Sequence, residues 1–172
     1  NIHLIYYYAV GDPSFPVGSP FVGFSSSPSF VSTSSDFYSG SGVSGLYSAL
    51  NLSSDLDILV ISKGKIDCTN TYLAQGGISV ARNKEDIPDF IEDTLKAGQY
   101  KNDLDAVKVL TSESIKNVEE LVSLGMKLDL DEDGNWDYTR EGAHSVNRIV
   151  HTNDHTGEDV EKTLIKNILS KP

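Results

Sequence analysis

Apolar positions fall into a helical rhythm at four places along the chain and into a continuous run at one. Val43, Leu46, Tyr47 and Leu50 share one helix face, and Ser53 and Ser54 end that pattern. Leu56, Ile58, Leu59, Val60 and Ile61 then follow without alternation, which predicts a strand buried on both faces in a parallel sheet. Ile87, Phe90, Ile91 and Leu95 predict an amphipathic helix closed near Gly98. A longer helix is predicted from Asp103 towards Gly125, with Leu104, Val107, Leu110, Ile115, Val118, Leu121 and Val122 on its apolar side and Gly125 as its C-cap. Asp131 to Asn135 reads as a turn, and a last helix starts near Thr156 or Gly157 and carries Val160, Leu164, Ile165 and Ile168.

The first 35 residues have another texture. Between Gly11 and Ser35, Ser, Pro, Gly and Phe account for 20 of 25 residues, with neither a helical nor a strand period, so residues 1–35 are expected to form an irregular leader that adds nothing to the fold. Residues 36–172 are expected to form the domain. Asn1 to Val10 is apolar but lacks a basic flank, and Gly11, Asp12 and Pro13 cut it short of a spanning length, so no membrane is expected.

Charge narrows the function classes. The 172 residues carry 25 acidic and 14 basic side chains, a net charge of −11, and every Lys and Arg lies at or beyond Lys63. Such a surface repels a phosphate backbone, so no nucleic-acid partner is expected. A single cysteine, Cys68, makes no internal disulfide, which fits a reducing compartment and a cytoplasmic location. Only Lys63 and Lys65 stand near it to lower its pKa, so it reads as a spectator thiol.

Two glycine motifs carry candidate chemistry. Gly40-Ser41-Gly42-Val43-Ser44-Gly45 is a G-x-G-x-x-G, whose glycines allow a tight turn, close approach to a pyrophosphate and close helix packing. A helix pattern follows it, and the apolar strand ends at Ser62, 22 residues after Gly40, near the spacing at which dinucleotide folds contact the adenosine ribose. The segment ahead of it, Ser34 to Ser39, is poor material for a central buried strand, so a Gly/Ser turn without function is the competing reading. Further on, Asn70-Thr71-Tyr72-Leu73-Ala74-Gln75-Gly76-Gly77 ends in paired glycines that let backbone lie flush against a flat ligand, or simply make a tight turn.

Two metal readings compete. Asp129, Asp131, Asp133 and Gly134 match the start of a calcium loop, but position 12 is Arg140, and a solvated acidic turn accounts for them better. His151 and His155 are four apart, a spacing that binds zinc on one helix face, although Asn153 and Gly157 weaken a helix there.

The glycine motif, Ile61 to Gly64, Thr71 to Ile78 (TYLAQGGI) and Thr139 to Gly157 (TREGAHSVNRIVHTNDHTG) together resemble the L-aspartate oxidases, a branch of the succinate dehydrogenase and fumarate reductase flavoprotein group. Thr139 to Ser145 carries the branch-specific part of the likeness, while Ala143, Asn147 and His155 depart from its usual pattern. The resemblance implies an α/β, Rossmann-like FAD-binding domain with a parallel sheet, incomplete because the capping domain and the C-terminal parts are absent. It implies oxidation of L-aspartate to iminoaspartate with oxygen or fumarate as acceptor, the first step of NAD biosynthesis, and quinolinate synthase as a partner. Ser41 to Ser44 would hold the pyrophosphate, Ser62 and Lys63 the adenosine side, and Asn70 to Gly77 the flavin. Glu141 would orient the substrate through its amino group. The dehydrogenase branch commonly carries FAD on a histidine in this region, and Thr69-Asn70-Thr71 offers none, so FAD is expected to be noncovalent. The alternatives are a fumarate reductase or succinate dehydrogenase flavoprotein and a noncatalytic acidic calcium-binding module.

Overall fold

The computed structural model describes residues 2–6, 37–53, 56–62, 69–142 and 144–171. A three-stranded parallel sheet contains β1 (Ile2–Tyr6), β2 (Phe37–Gly40) and β3 (Ile58–Ser62), in the order β1-β3-β2. The aliphatic run takes the middle position: Ile58 pairs with Ile2 on one side and Phe37 on the other. Ile58 and Val60 on one face and Leu59 on the other are all buried, as a strand covered on both faces requires.

Two expectations change here. Residues 2–6, placed in the irregular leader, form a strand; the rest of the leader, residues 7–36, lies outside the described residues. The stretch before the glycine motif, thought poor strand material, does form β2, because β3 offers it a complete ladder and a flanking position demands less aliphatic surface than a central one.

Helix α1 (Val43–Asn51) follows the glycine loop and packs on the sheet and on α4 (Thr156–Leu169). The shared core joins Leu46 and Ala49 of α1, Ile58 and Val60 of β3, and Val160, Leu164 and Ile168 of α4 with Leu121 and Met126. Lys171 Nζ donates to the carbonyls of Leu50 (2.8 Å) and Leu52 (2.5 Å), so a cation closes the C-terminus of α1. Tyr47 donates to Glu120 at 2.5 Å, tying α1 to α3 (Leu104–Ser123); that bond, with burial and the carboxylate charge, pushes the phenol up to about 12.

The remaining helices match their periodicity. Helix α2 spans Ile87–Ala97 with Pro88 in its first turn, where a missing N–H costs nothing. The Asp103 side chain caps α3, and Gly125 ends it at φ +106°, where only glycine is unstrained. The buried face of α3 differs from expectation, however. It is Val107, Thr111, Ser114, Val118 and Leu121, whereas Leu104 and Leu110 are exposed. Thr111 and Ser114 satisfy their hydroxyls on carbonyls one turn back, which lets polar residues face inward. Strands β4 (Ile78–Ser79) and β5 (Ile149–Val150) pair antiparallel and bring the second glycine motif beside the Thr139–Gly157 segment. Among the described residues no helix is long and apolar enough to cross a membrane.

Candidate functional site

The glycine loop opens a hollow of about 500 Å³ at the start of α1, lined by Gly40, Gly42, Val43, Ser44, Gly45, Ser48 and Thr71. A side chain at Gly40 would meet nothing within 4 Å, and one at Gly42 would reach Thr71 Oγ1 at 3.4 Å. Gly45 has another role. A Cβ there would lie 1.8 Å from the Gly40 carbonyl oxygen, so this glycine is what lets α1 seat on β2. Helix α1 has no capping side chain of its own; the Val43 N–H instead donates to Thr71 Oγ1 at 3.0 Å, across 28 residues. An open, glycine-walled helix N-terminus suits a diphosphate, so these residues fit FAD.

Ser41 and Ser62 are both buried and joined Oγ to Oγ at 2.9 Å, which places Ser62 under the loop as its support. Lys63 and Cys68 lie outside the described residues.

Residues 69–77 are clamped to the first turn of α4. The Thr69 hydroxyl donates to the Glu161 carboxylate and accepts the Tyr72 N–H at 3.1 Å. Gly157 N donates to Ala74 O at 2.9 Å, and any side chain at Gly157 would strike Thr71 O. Leu73, Ala74, Gln75 and Gly76 are left exposed along the loop's outer side. Gly77 has φ +85° and lies so close to β5 that a Cβ would come within 2.6 Å of Val150 O.

Glu141 comes to the same place from the other glycine-flanking segment. Its Oε2 lies 3.1 Å from where a Gly76 Cβ would be, so Gly76 makes room for it. It borders a pocket of about 820 Å³ together with Gly76, Gly77, Ser79, Phe90, Asp93 and His144. It also borders a smaller polar pocket with Gln75, Asp129, Arg140 and His151.

An ion cluster absent from the sequence-based expectations holds this segment. Arg148 is fully buried, with Nη1 2.6 Å from Asp93 Oδ2, Nη2 2.6 Å from Asp86 Oδ1, and its guanidinium 4.9 Å over the Phe90 ring. Asp93 Oδ2 also accepts the Ser145 N–H (2.6 Å) and hydroxyl (2.7 Å). Burial alone would raise the Asp93 pKa, but the Ser145 donors and the Arg148 guanidinium outweigh it and hold the carboxyl below its ordinary value. A signal was present in the sequence: Asp86 and Asp93 stand seven apart around Phe90, two helical turns on one face, which two exposed carboxylates would not need.

The metal readings resolve into ordinary structure. Asp131 Oδ1 accepts the N–H groups of Asp133 and Asn135 at 3.0 and 2.8 Å, closing a hairpin whose strands meet at Leu130 and Trp136. Asp129 accepts from Asn153 N and pairs with His151, while His155 pairs with Asp159; the two histidines do not share a helix face. Among the described residues, no three acidic, histidine or cysteine side chains converge as metal ligands.

A Gly-rich loop at the head of a helix beside a small parallel sheet is an arrangement suited to binding a nucleotide cofactor. The chain belongs to the FAD binding domain family, whose model matches residues 39–172. Within that family it is similar to the L-aspartate oxidase of Clostridium acetobutylicum, 54% identical over 133 residues, which are 77% of this chain and 31% of the relative. The chloroplastic L-aspartate oxidase of Arabidopsis thaliana is 37% identical over 147 residues, covering 83% and 23%. Among solved structures, the Mycobacterium smegmatis Sdh1 complex superposes with a TM-score of 0.73 at 26% identity, covering 78% of this chain and 24% of that one. E. coli quinol fumarate reductase FrdA gives 0.74 at 23%, covering 80% and 24%. The chain therefore spans about a third or less of the length of these relatives.

Proposed function

We propose that this chain supplies the cofactor-binding loops and one substrate-orienting carboxylate of an FAD-dependent oxidation of L-aspartate to iminoaspartate. The observation that carries the reading is the placement of Glu141 over Gly76, at the edge of the pocket that it lines with both glycines. FAD supplies the two-electron acceptor for hydride removal from the substrate Cα, a capacity no side chain has. The chain's own residues bind and orient. The N-terminus of α1 takes the diphosphate between Gly40 and Ser44, Ser62 supports that loop from below, Lys63 serves the adenosine side, and Asn70 to Gly77 line the flavin. The parallel sheet with its glycine loop leaving the C-terminal end of β2 supports a Rossmann-like reading of the domain.

Glu141 accepts hydrogen bonds from the substrate ammonium, which succinate and fumarate lack. Cations to grip the two substrate carboxylates would have to come from outside this chain, which spans 31% of the Clostridium acetobutylicum relative. FAD is held noncovalently, because Thr69, Asn70 and Thr71 include no histidine. Quinolinate synthase as the partner that receives the imino product, and a cytoplasmic location, belong to the same proposal.

In a full-length enzyme carrying this segment, Glu141→Gln should lower the efficiency of aspartate oxidation about 10²-fold while fumarate reduction by prereduced flavin stays largely intact. Equal loss of both activities, or loss of FAD, would assign Glu141 a structural role. The alternative, a fumarate reductase or succinate dehydrogenase flavoprotein, is distinguished by the Thr139 to Ser145 segment.

A further inference from the structure

His144 sits three residues beyond Glu141 on the same turn and lines the same pocket. Its two ring nitrogens face groups of opposite demand. Nε2 is 3.1 Å from the hydroxyl of Ser79, which lies in β4 immediately after the paired glycines. Nδ1 faces Arg148 Nη1 at 3.5 Å, and a guanidinium only donates, so Nδ1 must present a lone pair. The proton therefore sits on Nε2 and is given to Ser79. Phe90 meets the ring edge-to-face at 5.9 Å and closes one side.

We propose that His144 is a positioning residue for Glu141: held as the neutral Nε2–H tautomer between Arg148 and Ser79, it fastens the Glu141 turn to the strand that follows Gly76 and Gly77. Arg148 is itself immobilised by Asp86 and Asp93, and Asp93 binds Ser145, so the C-terminal side of the turn is fixed. His144 borders the pocket that Gly76 also lines, but both of its ring nitrogens face protein groups, Ser79 and Arg148, so it acts through the carboxylate it places. The proposal rests on the substrate-orienting role of Glu141.

The charges around the ring come from every element packed on it: Asp93 from α2, Asp86 from the turn Lys84–Asp86 before α2, and Arg140, Glu141 and Arg148 from its own segment. Burial and the Arg148 charge, against Asp93 and Asp86, hold the imidazole below its ordinary pKa, so it stays neutral near pH 7. Protonation would place an N–H at Nδ1 against the guanidinium and loosen the turn.

The test has two parts. Long-range ¹H–¹⁵N correlation spectra of this chain, with His144 assigned by its loss in His144→Gln, should show the Nε2–H tautomer at pH 7 and a midpoint below that of a free histidine. The Nδ1–H tautomer, or a ring already charged at pH 7, would overturn the proposal. In a full-length enzyme carrying this segment, His144→Ala should raise KM for aspartate about tenfold with FAD content unchanged. His144→Gln, whose amide still donates to Ser79, should recover most of that loss. In a Glu141→Gln background His144→Ala should add nothing, and an additive loss would show that it does not act through Glu141. If Glu141→Gln alone leaves aspartate oxidation untouched, the substrate reading fails and the positioning role falls with it, even with the Nε2–H tautomer present, so the two failures are told apart.

Discussion

Replacing Arg148 by Met removes the charge that Asp86 and Asp93 share, a guanidinium that itself has no exposed surface. Breaking a buried ion pair by deleting one partner costs about 3–5 kcal/mol, because the remaining charge is left desolvated. Asp93 would keep the Ser145 N–H and hydroxyl, and Asp86 would keep the Arg82 N–H at 3.0 Å, which puts the expected loss near the lower end, about 3 kcal/mol. Urea unfolding of this chain at pH 7 reads that number directly. The pH profile adds a sign. In the native chain the Asp93 pKa is held down, so its contribution is complete above the unfolded value of about 4 and is lost as pH falls through the lower folded value. In Arg148→Met the guanidinium's share of that lowering is gone while the Ser145 donors remain, so the folded pKa rises towards the unfolded one and the variant should lose less stability from this group as pH falls below about 4. A loss under about 1 kcal/mol, or an unchanged pH slope, would refute the view that this cluster is a closed, desolvated unit.

Three further outcomes are expected. Gly45→Ala would force a Cβ against the Gly40 carbonyl and should cost at least about 2 kcal/mol and abolish FAD retention, whereas an Ala variant that binds flavin normally would mean that α1 can lift from β2 freely. Thr71→Val loses the side-chain cap on Val43 N–H and should destabilise the chain by about 1 kcal/mol and weaken FAD binding in a fluorescence titration, with Thr71→Ser close to the parent. Deleting residues 1–6 strips β1 from β3 and should lower the urea midpoint, at about 1 kcal/mol per ladder hydrogen bond; an unchanged midpoint would return residues 2–6 to the role of a dispensable leader.

What the sequence determined by itself was whatever a short window encodes. The helices at Val43, Ile87, Leu104 and Thr156 and the strand at Ile58 were legible because their apolar periods, and stops such as Gly125, arise from backbone geometry within a few residues. The two glycine motifs were legible for the same reason, since a tight turn and open backbone are local requirements. Tertiary structure decided the rest. Phe37–Gly40 reads as weak strand material and becomes a strand only because β3 lies beside it, and Leu104 and Leu110 share an apolar period yet stay exposed because no element covers them among the described residues. Arg148 could be matched on paper with Glu141, its near neighbour; the fold pairs it instead with Asp93 and Asp86, 55 and 62 residues away. A charge chooses its partner by distance and desolvation in space, and the antiparallel pairing of Ile78–Ser79 with Ile149–Val150 sets those distances, placing Glu141 over Gly76 and His144 on Ser79.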